Sequence, residues 1–194
     1  MRDDALSVVG SELRAVAAYC VIAFAFSWIV WLPGVFKSAG LIDFAVDNMV
    51  VVGIGAFGPL VASFFLVLRR EGAAGLVRFI KRAADFRFRK VWLIPAILAF
   101  PVLVGIAYLA YSLLRGANGL PELPLLKQPW MIVPSFLAAF FLFGAVQEEF
   151  GWRGYALVRL QARWGALASS LLLGAIWALW HLPLFFIDGT GQSR

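Results

Sequence analysis

The run from Gln147 to Tyr155 reads Gln-Glu-Glu-Phe-Gly-Trp-Arg-Gly-Tyr and puts two adjacent carboxylates, Glu148 and Glu149, shortly before a guanidinium, Arg153. Its surroundings are built for lipid. The apolar stretch from Met131 to Val146 precedes it, and a second apolar stretch holding the only histidine, His181, follows. An acidic residue at a bilayer centre costs about 2.5–3.5 kcal/mol on insertion scales. Such groups persist in a membrane when they are paired, when they line a wet cavity, or when they do chemistry. Carboxylate, guanidinium and imidazole together offer all three: an ion pair, water-binding oxygens, and groups that accept and release a proton.

Helical spacing sorts the local roles. Glu149 and Arg153 are four residues apart with the acid N-terminal, the favourable orientation, so Arg153 is expected to neutralise Glu149. Glu148 points about 100° away and stays free, on a face with Gly144, Gly151 and Tyr155. Two glycines beside a carboxylate let another helix or a substrate backbone come close. The chain must turn around Trp164-Gly165, which Glu148 precedes by sixteen residues and His181 follows by seventeen. Both therefore lie about 24–25 Å from the turn at the α-helical rise, and in an antiparallel hairpin they meet at one depth. Gly174, Trp177 and Ala178 share the His181 face, and Pro183 is expected to loosen the helix and free a carbonyl. Each part alone has a plainer reading: a structural ion pair, a packed histidine, tryptophans that pack or anchor. The combination is much more specific than any part.

The elements that must position these groups follow from composition. Of 194 residues, 62% are hydrophobic and 14% charged, with a mean hydropathy of +0.87; soluble domains average about 45–50% apolar and about 25% charged. The chain is an integral membrane protein. Spans are expected at Ala15–Phe36, Val46–Leu68, Val91–Leu114, Met131–Gln161 and Ala166–Ile187, each near or above the roughly 20 residues that cross a hydrocarbon core. Backbone satisfaction in lipid makes them helices. The expected fold is all-α, a polytopic transmembrane helix bundle of about five spans. It is read as a single transmembrane domain over residues 1–194, with the motif-bearing hairpin at 131–187. Gly116 to Pro129 forms the longest external loop. The first apolar run is too long for a signal-peptide core and is read as a retained span. Cys20 lies within it, and a single cysteine forms no intramolecular disulfide.

The net charge of +6 is distributed as a topology signal, not as a nucleic-acid footprint. The stretch Arg69–Lys90 carries eight basic and two acidic residues and is cytoplasmic by the positive-inside rule. On that assignment twelve of the seventeen Lys and Arg lie inside, four outside, and Arg153 in the membrane, so the N-terminus is cytoplasmic. Leu76, Val77, Phe79, Ile80, Phe86 and Phe88 are interspersed among these charges. That pattern suits either a helix on an anionic leaflet or a solvated topology-setting loop. The bilayer is a partner, and nucleic acid is not.

Glu148-Glu149-Phe150-Gly151-Trp152-Arg153 resembles the Glu-Glu-x-x-x-Arg signature of the CPBP membrane proteases, also called Abi. These include the type II CAAX prenyl endopeptidases and bacterial bacteriocin-processing or immunity relatives. Trp177-Ala178-Leu179-Trp180-His181 resembles the family's second motif, Phe-x-x-x-His, with Trp in place of Phe. The layout matches over most of the chain, and the specific likeness runs from Gln147 to Pro183. The resemblance implies an intramembrane endopeptidase of a bacterial cytoplasmic membrane that cleaves membrane-associated peptides or proteins, prenylated CAAX-type substrates among them. It implies that Glu148 takes a proton from water held between it and His181, that this water attacks the scissile carbonyl, and that Glu149 with Arg153 keeps Glu148 oriented. A third family motif, a His followed four residues on by Asn or Asp, supplies oxyanion donors worth typically about 2.7–4 kcal/mol each. The sequence has no second histidine and stops at Arg194. Either it is truncated before that motif, or it is a natural short form with little or no turnover.

Family members are often labelled metalloproteases, and zinc is the metal to weigh. Glu148 and His181 supply two ligands where catalytic zinc takes three protein ligands plus water, so direct carboxylate catalysis is favoured and the metal is left unassigned. Two rival functions use the same groups. A catalytically inactive binding or bacteriocin-immunity protein would hold a peptide in the polar pocket. A proton-coupled transporter would carry ionisable groups along several helices; the spans hold few outside the Glu148–His181 region, and it ranks last.

Overall fold

The computed structural model describes residues 2–43, 45–83, 85, 87–115, 127–142 and 144–193. They fall into two compact units, Met1–Ala83 with Val133–Arg194, and Ala84–Ile132. Among the described residues there is no strand. Five helical stretches are long and apolar enough to cross a membrane: Gly10–Ser38, Asn48–Ala83, Lys90–Leu114, Pro129–Gln161 and Ala166–Phe186. All five expected spans are present.

In the first unit, α1 (Arg2–Ser38) turns a ridge of every fourth residue inward. Ala15, Tyr19, Ala23, Ser27 and Trp31 are buried, whereas Val21, Ile29, Leu32 and Phe36 point outward, the division expected of a helix with one packed and one lipid-facing side. The second span is broken into α2 (Asn48–Gly55) and α3 (Gly58–Ala83). A helix end in a membrane must find partners for its free carbonyls, and α1 supplies them. Ser27 Oγ donates to Gly55 O at 2.7 Å, and Trp31 Nε1 adds a second bond at 3.1 Å to Val52 O, which already accepts from Ala56 N–H.

Helix α3 kinks at Gly72 and continues through the basic stretch to Ala83. There Phe79 packs against Phe64 and Phe150, at ring distances of 6.0 and 5.7 Å. Val77 and Ile80 stay exposed. The aromatic face of this segment thus docks on the protein; Phe86 lies outside the described residues.

The fourth span departs from the single long helix read from the sequence. Helix α5 (Ile132–Phe141) stops, and the chain restarts as α6 (Ala145–Glu148), widens into a π-helical segment (Glu149–Leu157) and returns to α geometry in α7 (Val158–Gln161). Gln147 bridges the break, its buried Nε2 donating to Phe141 O. Helix α8 (Ala166–Trp180) follows the turn at Trp164-Gly165. Pro183 has no N–H to extend α8, so a 3-10 turn takes over (Leu182–Phe186). Trp180 O is thereby freed and accepts from Trp28 Nε1 at 2.9 Å.

Tyr19, Trp31, Trp152, Tyr155 and Trp180 form the fully buried centre. Tyr19 meets Trp152 edge-on at 5.2 Å, Trp152 meets Trp180 at 5.7 Å, and Trp180 meets Trp31 at 4.8 Å. Polar ties close the two ends. At one, Asp188 N donates to Ser38 Oγ at 2.9 Å, and Asn48 Nδ2 donates to Asp188 O at 3.1 Å. At the other, Arg159 pairs with Glu12 at 3.2 Å.

The second unit holds a 3-10 turn (Lys90–Trp92) and α4 (Leu93–Arg115), which contains Pro101. Residues 116–126 of the expected external loop lie outside the described residues.

Candidate active site

Glu148 is the last residue of α6, four residues after the break. Its N–H bonds to Gly144 O at 2.7 Å, so the short α6 turn fixes its direction. The restart depends on Gly144, whose φ of +113° is a conformation that side-chain-bearing residues rarely adopt. At Gly151, inside the π segment, an added Cβ would run into Tyr19 Oη and Pro59. Of the two glycines read as close-approach positions, Gly151 lets α1 and α3 press onto the motif, whereas Gly144 lies against the Glu148 side chain itself and acts as the hinge of a restart.

Glu148 and His181 line one cavity of about 250 Å³, whose walls include Val52, Gly53, Trp180 and Gln192. The hairpin arithmetic brought these two groups to one level, and they share this space. The π segment alters the arithmetic itself, because a wider helix advances less per residue.

Trp177 touches both groups. Its Nε1 donates to Glu148 Oε2 at 2.6 Å, and its backbone carbonyl lies 2.9 Å from His181 Nδ1. A carbonyl only accepts, so Nδ1 carries the proton in that contact, and the neutral ring keeps an acceptor at Nε2. The imidazole is also packed by the Trp177 and Trp180 rings, at 4.3 and 4.6 Å.

Glu149 and Arg153 form the expected pair at 3.1 Å, with 59% and 51% of their side chains exposed. They open onto a different cavity, one of about 480 Å³ that is otherwise mostly apolar, with Phe79, Phe140 and Phe150 in its wall and Arg82 also lining it. The two neighbouring carboxylates therefore serve different spaces.

Three features of the site go beyond what the sequence discloses. Trp177 stands at the aromatic position of the second motif and on the His181 face, but its hydrogen bond to Glu148 depends on which helix lies opposite. Gln147 has no role legible in the motif, and Arg159 is legible only as a topology charge. It pairs with Glu12, donates from Nη1 to Tyr155 O at 3.0 Å and lies 3.6 Å over the Tyr155 ring.

Among the described residues, no three His, Cys, Asp or Glu side chains gather as a metal site. Glu148 and His181 alone do not fit the three-ligand set of catalytic zinc.

A family model described as type II CAAX prenyl endopeptidase Rce1-like matches residues 128–191, the part of the chain that carries both motifs. Over 176 residues, 90% of the chain, the sequence is 26% identical to a CAAX prenyl protease 2 of Methanococcus maripaludis. The chain spans 64% of that relative's length. No solved structure matches it.

Proposed function

We propose that the chain is a membrane protease of the CPBP family, to whose type II CAAX prenyl endopeptidases it is similar, and that it hydrolyses a peptide bond of a membrane-associated substrate, of the prenylated CAAX type, with Glu148 and His181 activating the attacking water. The observation that carries this reading is the shared cavity of about 250 Å³, with the two side chains on its wall and both in contact with Trp177.

In the proposed reaction, a water in this cavity transfers one proton to the Glu148 carboxylate while its remaining O–H donates a hydrogen bond to His181 Nε2. The water oxygen bonds to the scissile carbonyl carbon, and as the C–N bond breaks Glu148 passes its proton to the departing amine. Glu149 and Arg153 take no proton in this scheme. Facing away as a neutralised pair, they leave Glu148 as the acidic group of the reaction cavity.

The test is cleavage of a peptide bearing a prenylated cysteine by the purified protein, in its longest natural form, in liposomes. Glu148→Gln and His181→Ala are expected to abolish release of the C-terminal fragment while leaving the protein folded. Undiminished cleavage by Glu148→Gln, or no cleavage by the parent, would overturn the reading.

A further inference from the structure

We propose that Trp177 is a positioning residue that holds the Glu148 carboxylate and the His181 imidazole in one hydrogen-bonded arrangement, through its indole N–H on one side and its backbone carbonyl on the other. The assignment rests on the hydrolytic reading for its purpose, and on geometry alone for its existence.

Glu148 sits at the end of a single α-helical turn, four residues after the helix break and at the mouth of a π-helical segment. Among the described residues, the hydrogen bond to its carboxylate comes from the facing helix and not from its own. The indole Nε1 of Trp177, on the facing helix α8, lies 2.6 Å from Oε2. Charge-assisted bonds of this length are the stronger class. The bond occupies Oε2. The other oxygen, Oε1, lies over Gly144, where a Cβ would come within 2.6 Å of it. The absence of a side chain at 144 makes room for Oε1 in this position.

His181 is the residue that caps α8, one helical turn after Trp177. Its backbone N–H reaches Trp177 O at 3.3 Å and its Nδ1 reaches the same oxygen at 2.9 Å. The ring is therefore held by the backbone of the very residue whose side chain holds Glu148. A shift of Trp177 moves both groups together. Its backbone is fixed in turn by the C-terminal end of α8, where Trp28 of α1 ties down Trp180 O. The arrangement follows the general pattern in which outer partners fix the tautomer and orientation of a working imidazole.

Two spectroscopic measurements read this directly, without turnover. The chain has one histidine, so a sample labelled with [15N]histidine reports the tautomer of His181 alone. At a pH where the ring is neutral, the proton is expected on Nδ1. A sample labelled at the tryptophan indole nitrogens gives one resonance per tryptophan, and the one that disappears in Trp177→Phe belongs to Trp177. That resonance is expected downfield of its counterparts. It should move upfield in Glu148→Gln and stay in place in Glu149→Gln.

The kinetic arm uses a prenylated CAAX-type peptide. Trp177→Phe is expected to lower kcat by roughly ten- to a hundredfold, the scale of a lost hydrogen bond to a charged group, with KM unchanged. Benzothienylalanine at position 177 keeps the shape and lacks the N–H, and it should reproduce the loss. A Trp177 resonance indifferent to Glu148→Gln, a proton on Nε2 of neutral His181, or full turnover with benzothienylalanine would each overturn the assignment. If the resonances behave as expected and no form cleaves the peptide, the positioning role stands and the hydrolytic reading falls.

Discussion

Gly144 lies against the carboxylate of Glu148: with φ at +113°, a Cβ at this position would stand 2.6 Å from Oε1. Gly144→Ala meets two obstacles at once. The backbone conformation costs about 1–3 kcal/mol for a residue with a side chain, and the methyl group displaces the carboxylate. The expected outcome is a lower Tm together with loss of the downfield Trp177 indole resonance. A variant with the parent's Tm and an unshifted resonance would show that the restart of the helix does not depend on glycine.

For Glu149 and Arg153, replacing one partner leaves a charge facing the mostly apolar cavity of about 480 Å³. Breaking a fully buried pair costs about 3–5 kcal/mol; with 59% and 51% of the side chains exposed, the loss should be smaller. Glu149→Ala and Arg153→Ala are each expected to lower the yield of folded protein, and the double variant to recover part of it. Thermal melting in detergent checks this. Singles that melt like the parent would show that the pair contributes nothing to folding.

Membrane orientation is testable by cysteine accessibility in a Cys20→Ala background. From the twelve-to-four charge asymmetry, Arg78 is expected on the cytoplasmic side. Along α1, Glu12 lies in the N-terminal half and Ser38 is the last residue, and Asp188 is tied to Ser38. Arg78→Cys and Gln192→Cys are therefore expected to label from opposite sides, with Gln192→Cys reached from outside in intact cells. Gln192 is in the wall of the Glu148–His181 cavity, so the same experiment tells which face of the bilayer that wall approaches. Labelling of both positions from one side would overturn the assignment.

Hydropathy made the spans legible, because transfer into lipid is an average over about twenty residues and tolerates local irregularity. The Glu149–Arg153 pair was legible because its four-residue spacing is a property of one helix. Counting residues from the turn placed Glu148 and His181 near one another, and the structure has both lining one cavity. What the sequence did not disclose depends on partners from other helices. The break after Gly55 is sustained by Ser27 and Trp31, and the break before Ala145 by Gln147 reaching back to Phe141. Composition does not announce a π-helical winding either, since the same residues satisfy their hydrogen bonds in either geometry. Wider turns of this kind are frequent at functional sites, and here one spans Glu149 to Leu157, directly beside Glu148.

Residues 148 and 159 are both pinned to other helices, Glu148 to Trp177 of α8 and Arg159 to Glu12 of α1. The winding between the pins decides whether both can be engaged at once. Removing a single residue from this interval would favour ordinary α winding, rotate one pin relative to the other and uncouple them, even if every remaining side chain kept its identity. Substitution is a gentler change here than deletion. Between these two anchors, the number of residues is itself a specified quantity, and a one-residue gap or insertion in a relative would mark a differently phased site.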